Sequence, residues 1–302
     1  MVHLSTYTFR IFALVASSLY LLSTASYAAD TLTKIRDSKS ITIAYQEGSV
    51  PFSFLDANKK PAGYGVELCL KFVDEIQKEL KLPQLKVNYF PINSSNRIPA
   101  IVEGKADIEC GTTTNTPERR AQVAFTIPHF ISATRMLVKA DSNIKNWADL
   151  RNKKVVITKG AVQYKAIQDR NVNSALNMTI FEGKDNMDSF KTLERGEVAA
   201  FTLGDVLAYS LKAKAKDPSA FLVVGDPLSA DPYAAMFRKD DAPFKALIDT
   251  SMAKIMLSGE LTKLYEKWFK TAHPALDNAS LDMPMSYLLR DSLKFPSDKV
   301  AF

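Results

Sequence analysis

A strand-like and a helix-like pattern of apolar positions alternate along the first third of the chain. Residues 41–45 alternate apolar and polar side chains, as a strand with one buried face does. Apolar side chains between residues 66 and 80 recur every three or four positions, which predicts one face of a helix. Residues 85–89 alternate again, and 107–110 form the next short apolar stretch. This alternation predicts a mostly parallel sheet covered by helices.

A second unit of the same kind begins after Pro128. Its predicted strands are 135–138, 155–158, 179–181, 199–203 and 221–224, and its predicted helices are 160–167, 189–195 (with Asp188 as N-cap) and 205–212. Proline-containing, strand-like segments at 127–132 and 225–233 bracket this unit. We therefore expect the chain to cross between two domains twice. Ligands bind outside the carboxyl ends of strands in open α/β sheets, so two facing edges would form a cleft that can close.

The rest of the chain is expected to complete the first domain. A strand is predicted at 234–237, and apolar stripes at 244–255 and 261–269 predict two helices. The end, from Leu276, is only weakly periodic. The predicted division is therefore a discontinuous domain one, a continuous domain two and a C-terminal extension packed on domain one. Domain one would comprise residues 30–129 and 230–275, domain two residues 132–226, and the extension residues 276–302.

The N-terminus has the pattern of a secretory signal. Arg10 precedes an apolar run from Ile11 to Leu22, and Ser26-Tyr27-Ala28 fits a cleavage site. A membrane span needs about 20 residues, so this run is too short. We expect residues 1–28 to be a cleaved signal peptide and the mature chain to be exported to the periplasm; the alternative is a buried N-terminal helix.

Composition narrows the classes of partner. The formal net charge is +6, with Lys and Arg spread along the chain and in no long block. A nucleic-acid binder would need a basic patch with stacking aromatics, so no nucleic acid is expected. The scattered histidines predict no metal site, and no cofactor motif is present. Cys69 and Cys110 are either a disulfide, which export permits, or two buried thiols.

Residues 108–120 carry the clearest chemistry. They read Ile-Glu-Cys-Gly-Thr-Thr-Thr-Asn-Thr-Pro-Glu-Arg-Arg: an apolar strand end, a glycine, three hydroxyls and a helix start. Thr116 is the expected N-cap, Pro117 lies in the first turn and Arg119 follows. Backbone N–H groups, hydroxyls and a guanidinium converge here, as in a carboxylate receptor. We expect the protein to hold a small anion without transforming it.

Several motifs resemble those of periplasmic solute-binding proteins of family 3, the polar amino acid class, and of its glutamate/aspartate-binding members in particular. The motifs are Ser49-Val50-Pro51-Phe52-Ser53-Phe54, Ser95-Asn96-Arg97-Ile98-Pro99, Glu109-Cys110-Gly111-Thr112-Thr113-Thr114-Asn115, Glu118-Arg119 and Asp188-Ser189-Phe190-Lys191-Thr192-Leu193-Glu194. The resemblance covers essentially the whole mature chain. It implies a type II two-domain α/β fold with two hinge crossings. It also implies a monomeric, cofactor-free binding component of an ABC importer that closes on its ligand and docks on a membrane permease.

The resemblance also assigns site roles. Thr112, Thr114 and Arg119 would hold the α-carboxylate of an amino acid ligand. Ser94 and Arg97 would hold its side-chain carboxylate.

A third role, packing on the aliphatic part of the ligand, would fall to Phe52 or Phe54. Core packing is the alternative role for each of these two rings.

Four positions depart from the glutamate/aspartate pattern. Gln46 stands where relatives have an arginine, Asn186 where they have a histidine, and Ala161 where they have a threonine. Gly204 stands where the family places an aspartate for the α-ammonium group, and Asp205 follows it. Either Asp205 takes that role, with N-capping as its alternative, or the ligand is a dicarboxylate without an amine. The predicted contacts therefore include Gln46, Asn186 and Asp205.

Two other classes of function remain as alternatives. Some members of the superfamily are dehydratases, and Glu109 or Asp188 could serve as an acid or base. No nucleophile motif or metal set accompanies them, so no enzyme is expected. A sensory protein that reports its ligand to a membrane receptor is the second alternative.

Overall fold

The computed structural model describes residues 30–299. The predicted signal peptide lies outside these residues. The described chain forms two α/β domains, each built on a five-stranded sheet, and a two-stranded ribbon joins them.

The first pass through domain one contains four helices and seven strands. They are α1 Thr31–Ser38, β1 Ser40–Gln46, β2 Gly48–Ser49, β3 Ser53–Leu55, β4 Pro61–Ala62, α2 Tyr64–Glu79, β5 Lys86–Ile92, α3 Arg97–Val102, β6 Ile108–Glu109, α4 Pro117–Arg120 and β7 Val123–Phe125.

The chain then crosses into domain two. The elements here are the crossing strand β8 Phe130–Ser132, followed by β9 Thr134–Lys139, β10 Lys154–Thr158, α5 Gln163–Asn173, β11 Thr179–Gly183, α6 Asn186–Glu194, β12 Ala200–Gly204, α7 Asp205–Ala213 and β13 Phe221–Val224. Short 3-10 turns cover Trp147–Leu150 and Pro218–Ala220.

The second crossing returns the chain to domain one. It consists of β14 Asp231–Tyr233, followed by β15 Met236–Arg238, α8 Ala242–Leu257, α9 Glu260–Tyr265 and α10 Tyr287–Lys294. A π-helical turn, Glu266–Lys270, continues α9. None of the helices in residues 30–299 is both long and apolar enough to cross a membrane.

Each sheet is mixed, which refines the expected mostly parallel arrangement. The strand orders are β5-β1-β6-β15-β7 and β11-β10-β12-β9-β13. The first three strands of each order run parallel, whereas β15 and β9 run antiparallel to their neighbours. Both antiparallel strands follow a crossing. A strand that enters from the hinge starts at the edge where the parallel strands end, so it must run the opposite way.

The two crossings lie side by side. β8 and β14 pair as antiparallel strands, with Phe130 opposite Tyr233. An aromatic cluster of domain one packs directly beneath them: the Phe52 ring lies 5.0 Å from that of Phe130 and 5.6 Å from that of Tyr233, centroid to centroid. Aromatic contacts of this geometry add to the apolar burial and fix the position of the ribbon.

Cys69 and Cys110 form a disulfide, which decides between the two possibilities that the sequence left open. The bond joins α2 to the residue that follows β6. It therefore anchors the base of the hydroxyl-rich turn at residues 111–114.

Local details differ from the sequence expectations at several points. Helix α6 begins one turn earlier than predicted, because Asp185 and not Asp188 accepts the capping bond: the Asp188 N–H donates to Asp185 Oδ1 at 2.8 Å. Helix α1 was not predicted, and α10 lies in the segment whose periodicity was weak. Leu289 of α10 is buried in the core of domain one and Leu293 packs against that core, so these two residues anchor the helix.

Candidate functional site

Residues of both domains enclose one small cavity of about 30 Å³ where the two sheet edges face each other. Domain one contributes Ser94, Arg97, Thr112 and Thr114; domain two contributes Thr158, Ala161, Val162, Gln163, Asn186, Thr202, Leu203, Gly204 and Leu207; the ribbon contributes Tyr233. The lining is mostly polar and uncharged. These side chains can hydrogen-bond a small polar ligand from several directions, and the space left between the two closed edges is about the volume of one water molecule.

Arg119 spans the seam beside this cavity. Its Nη1 donates to the carbonyl oxygen of Thr114 at 3.0 Å, and its Nη2 donates to the carbonyl oxygen of Gly160 at 3.1 Å, in domain two. These bonds use two of the five N–H donors of the guanidinium. The side chain is 7% exposed and not itself part of the cavity lining. One cation of domain one therefore touches both sides of the cleft.

Arg97 lies in the wall of the cavity at the first residue of α3. It is buried, its Nη1 donates to the carbonyl oxygen of Thr112 at 3.4 Å, and its Nε has no acceptor among the described residues. We call Arg97 and Arg119 the arginine pair. A buried N–H without an acceptor is costly, and an anionic ligand would supply one.

Burial and mutual repulsion act on the arginine pair. Burial, followed by the nearby charge of Arg97, lowers the pKa of Arg119 to about 9, which leaves the guanidinium charged at neutral pH. Burial also lowers the pKa of Arg97, and the carboxylate of Glu109 opposes that effect. The region is therefore electropositive, and it is shielded from water.

The hydroxyl-rich turn connects the cavity to a larger outer chamber. Thr112 Oγ1 donates to Gln46 Oε1 at 3.0 Å. Gln46 lines a chamber of about 500 Å³ at the cleft mouth, and Ser94 and Asn186 line both spaces. The predicted contacts Ser94, Thr112 and Asn186 are thus brought together.

Two other predicted contacts lie elsewhere. Asp205 does not line the cavity; its Oδ1 accepts bonds from Ser132 Oγ at 2.8 Å and from the Ala133 N–H at 3.1 Å, so it fixes the first crossing to α7. Phe52 is fully buried in the aromatic cluster under the ribbon and is likewise absent from the lining. The placement of Phe52 matches its alternative role in core packing. Asp205 is not the N-cap that was its alternative, since Gly204 holds that position and no side chain caps α7.

The predicted helix start at Thr116 has the expected cap, since Thr116 Oγ1 accepts a bond from the Arg119 N–H at 3.3 Å. Helix α4 is only four residues long, however. A single turn sums few peptide dipoles, so the electrostatic role assigned to this helix start passes mainly to the arginine side chains.

Four polar lining residues did not emerge from the sequence: Thr158, Gln163, Thr202 and Tyr233. Thr158 donates to Asn186 Oδ1 at 2.8 Å, whereas the Thr202 hydroxyl is buried without a partner among the described residues. Both threonines sit at or near the carboxyl ends of apolar strands that the sequence did predict. A polar residue in that place was the available signal, because such strand ends face the ligand.

The domains are closed on each other. A Cβ placed on Gly160, whose φ is +77°, would lie 2.7 Å from the carbonyl oxygen of Ser94 across the cleft. Glycine is therefore required here for two reasons, the left-handed backbone and the close approach of domain one.

Comparison with known proteins decides the family. Residues 41–271 match the model for bacterial extracellular solute-binding proteins, family 3. The chain belongs to this family. Two relatives are 40% identical: the L-glutamate/L-aspartate-binding protein of Pseudomonas aeruginosa, over 96% of each chain, and the glutamate/aspartate import solute-binding protein of Escherichia coli, over 91% of each chain.

The fold of this family-3 member also matches solved structures. The crystal structure of an ancestral amino acid-binding protein, a precursor of cyclohexadienyl dehydratase, is 27% identical, with a TM-score of 0.67 over 80% of this chain and 99% of its own. The chain thus has the type II two-domain fold, with its site in the interdomain cleft.

The departure at Gly204 has a local structural explanation in this family-3 chain. A Cβ on Gly204 would lie 2.5 Å from the Tyr233 hydroxyl and 2.7 Å from Ser132 Oγ. The ribbon therefore occupies the space that a side chain at position 204 would need. With Asp205 bonded to the first crossing, neither residue presents a carboxylate to the cavity.

Proposed function

We propose that this protein is the substrate-binding component of an amino acid ABC importer and that it holds a small, glutamate- or aspartate-like carboxylate ligand in the interdomain cleft. The supporting observation is the arginine pair. Arg97 lies in the cavity wall with an unsatisfied N–H, and Arg119 contacts both domains beside it. Two relatives that are 40% identical are named for glutamate and aspartate.

Ligand capture would proceed by closure about the ribbon. Domain one would comprise 30–129 with 230–275, domain two 132–226, and the segment from 276 would pack on domain one. Within residues 30–299, the two paired strands β8 and β14 connect the domains. In the absence of ligand, the Arg119–Gly160 bond is the kind of contact that opening would break. A ligand that supplies further bonds on both sides shifts the population toward the closed form.

A dicarboxylate without an amine is a second candidate, and one observation favours it. None of the described side chains that line the cavity is acidic. The α-ammonium of an amino acid would have to rely on neutral acceptors such as the Thr202 hydroxyl, and burying an unpaired charge is costly.

We propose a binding protein and not an enzyme. The described lining residues include no histidine, lysine, aspartate or glutamate. Burial, first of all, raises the pKa of the Tyr233 phenol well above its usual range, so the phenol stays protonated. A general acid or base with a pKa near neutrality is therefore missing from the cavity wall. Glu109 and Asp188, the candidates from the sequence, are also absent from it.

The surroundings we propose follow from the same features. The predicted signal at residues 1–28 would direct the chain to the periplasm, and the Cys69–Cys110 disulfide fits an oxidising compartment. The partner would be a membrane permease that docks the closed form of a monomer. Docking on a sensory receptor is the alternative, and no nucleic acid is involved.

A ligand screen tests the function. Thermal shift followed by calorimetry would compare L-glutamate, L-aspartate, glutarate, succinate and L-arginine. A ligand that binds only the folded state raises the melting temperature by mass action. We expect the acidic compounds to do so and L-arginine to have no effect. Stabilisation by L-arginine alone would contradict the proposal.

A further inference from the structure

Glu109 carries a carboxylate that the fold does not satisfy. The residue is 0% exposed at the end of β6, and neither side-chain oxygen has a hydrogen-bond partner among residues 30–299. Buried carboxylates are normally paired or hydrogen-bonded, because desolvating a charge is expensive. A group of this kind directly behind a ligand site calls for a functional explanation.

The Glu109 carboxylate lies against the back of the hydroxyl-rich turn. A Cβ built on Gly111 would be 2.2 Å from Glu109 Oε1 and 3.1 Å from Gln46 Oε1. In this arrangement the Glu109 carboxylate occupies the space beside Gly111 that a Cβ would need. The next residue, Thr112, is in the cavity wall, so the carboxylate packs against the residue that precedes a lining residue.

Glu109 and the arginine pair share one desolvated region. Burial raises the pKa of Glu109, and Arg97 is the first of the charges that oppose this rise, with Arg119 a smaller contributor. In return, Glu109 raises the pKa of both arginines against the effect of burial. In its ionised form, Glu109 opposes the positive charge of both arginines, and it acts on Arg119 more strongly than Asp231 does.

The nearby acid Asp231 is already engaged. Its Oδ2 accepts bonds from Ser229 Oγ at 2.9 Å, from Thr134 Oγ1 at 3.0 Å and from Gln163 Nε2 at 3.4 Å. It belongs to the ribbon and does not line the cavity. Glu109 differs from Asp231 because neither of its oxygens has a hydrogen-bond partner among the described residues. Besides the arginine pair, the Thr113 hydroxyl and the Gly111 N–H are the polar groups that oppose the rise in its pKa.

We propose that Glu109 sets the net charge of the ligand that the cleft accepts. By opposing the positive charge of the arginine pair, its carboxylate favours a ligand with one net negative charge, such as an acidic α-amino acid, over a dianion. A dianionic dicarboxylate would bring a second negative charge close to this carboxylate in the closed cavity. The inference rests on the proposed function and chooses between its two ligand classes.

Glu109→Gln tests this, because it keeps the shape of the side chain and removes its charge. Calorimetry would measure L-glutamate and glutarate, which differ only by the ammonium group. The wild type should bind L-glutamate more tightly, and the variant should shift the ratio of the two dissociation constants toward glutarate by at least about tenfold. Glu118→Gln, on the exposed face of α4, is the matched control and should leave the ratio unchanged.

An unchanged ratio in a folded Glu109→Gln variant would overturn the proposal. If that variant does not fold, Arg97→Gln tests the same charge balance by changing its positive partner. It removes one positive charge, so discrimination against glutarate should deepen, and an unaltered ratio would again be contradictory.

A ligand-free measurement separates this inference from the proposed function. Urea unfolding of Arg97→Gln, Glu109→Gln and the double variant gives a coupling between the two charges. We expect the double variant to be more stable than the sum of the single losses predicts. Additive losses would refute the charge balance even if ligand binds, whereas coupling without binding of any acid would refute only the proposed function.

Discussion

The two edges that meet in the cleft differ in charge. Domain one brings the arginine pair and, behind it, the buried carboxylate of Glu109. Among the described residues that line the small cavity, those of domain two carry only hydroxyls, amides and apolar groups. The polar lining residues of domain two are Thr158, Gln163, Asn186 and Thr202.

This asymmetry suggests an order of events. An anion would be attracted to the electropositive edge of domain one first, since charge–charge attraction acts over a longer range than a neutral hydrogen bond. Domain two would then close on the bound ligand and add neutral contacts, each with a smaller energy. Substitutions on the two edges should therefore differ in the size of their effect.

Arg119→Ala should have the largest effect. Truncating one partner of a buried, hydrogen-bonded charge pair costs about 2–5 kcal/mol, so affinity for any carboxylate ligand should fall by at least about 30-fold. Calorimetry measures the loss. Arg36→Ala, at an exposed arginine of domain one, is the control and should bind normally. Wild-type affinity in Arg119→Ala would remove this residue from the site.

Gly160→Ala should have the next largest effect, because it tests how closely domain two can approach. The added Cβ would meet the Ser94 carbonyl oxygen at 2.7 Å, so full closure is obstructed and affinity should fall roughly tenfold. Gly259→Ala is the matched control: its φ is +79° against +77°, and nothing lies within 4 Å of the new Cβ. Backbone strain is thus equal in the two variants. Equal affinities would show that closure does not depend on this contact.

His129, which directly precedes the crossing strand β8, tests how tightly the hinge region is packed. It is fully buried, and burial lowers its pKa to about 3, so the folded protein holds it neutral. The unfolded chain binds a proton near pH 6.5, so folding loses stability as the pH falls from about 6.5 to 3. Through this residue, the wild type should lose about 1.4 kcal/mol of its free energy of unfolding per pH unit in that window. The His129→Gln variant should not show this loss.

Urea unfolding between pH 7 and 4 measures the His129 effect. His273→Gln is the comparison, since His273 is only partly buried and burial lowers its pKa less far. Parallel stability curves for the wild type and His129→Gln would contradict the account of the hinge.

Thr202→Val should have the smallest effect. The substitution keeps the shape of the side chain and removes the unpartnered hydroxyl of domain two. A neutral hydrogen bond contributes about 0.5–1.5 kcal/mol, so affinity should fall only about 2- to 12-fold. Thr179→Val, at an exposed threonine of the same sheet, is the control. A loss as large as that of Arg119→Ala would erase the contrast between the edges.

Much of the fold was accessible from periodicity. The strands at 155–158 and 221–224 and the two crossings lie close to where they were expected, because buried strands are apolar runs and prolines mark the connections. The antiparallel course of β9 and β15 was not accessible, since local patterns carry no information on strand direction. The start of α6 was misplaced because Asp185 and Asp188 are equally good caps by residue type.

The site was accessible in part. The hydroxyl-rich turn could be predicted because chemistry and spacing coincide in one short segment, whereas Arg97 was implied by the family resemblance; the cavity lining includes Arg97 and the turn residues Thr112 and Thr114. Asp205 and Phe52 lie in other surroundings, since whether a side chain faces the cleft or the core depends on tertiary packing. The burial of Glu109 without a partner is likewise a property of the assembled fold.

Small-angle scattering of the wild type, with and without saturating ligand, tests the central claim most directly. The claim is that a small carboxylate holds the two domains closed through contacts to both edges. The account predicts that L-glutamate or glutarate, whichever binds more tightly, reduces the radius of gyration, and that Arg119→Ala shows no reduction at the same concentration. An unchanged radius in the wild type at saturation, confirmed by calorimetry, would contradict closure on the ligand.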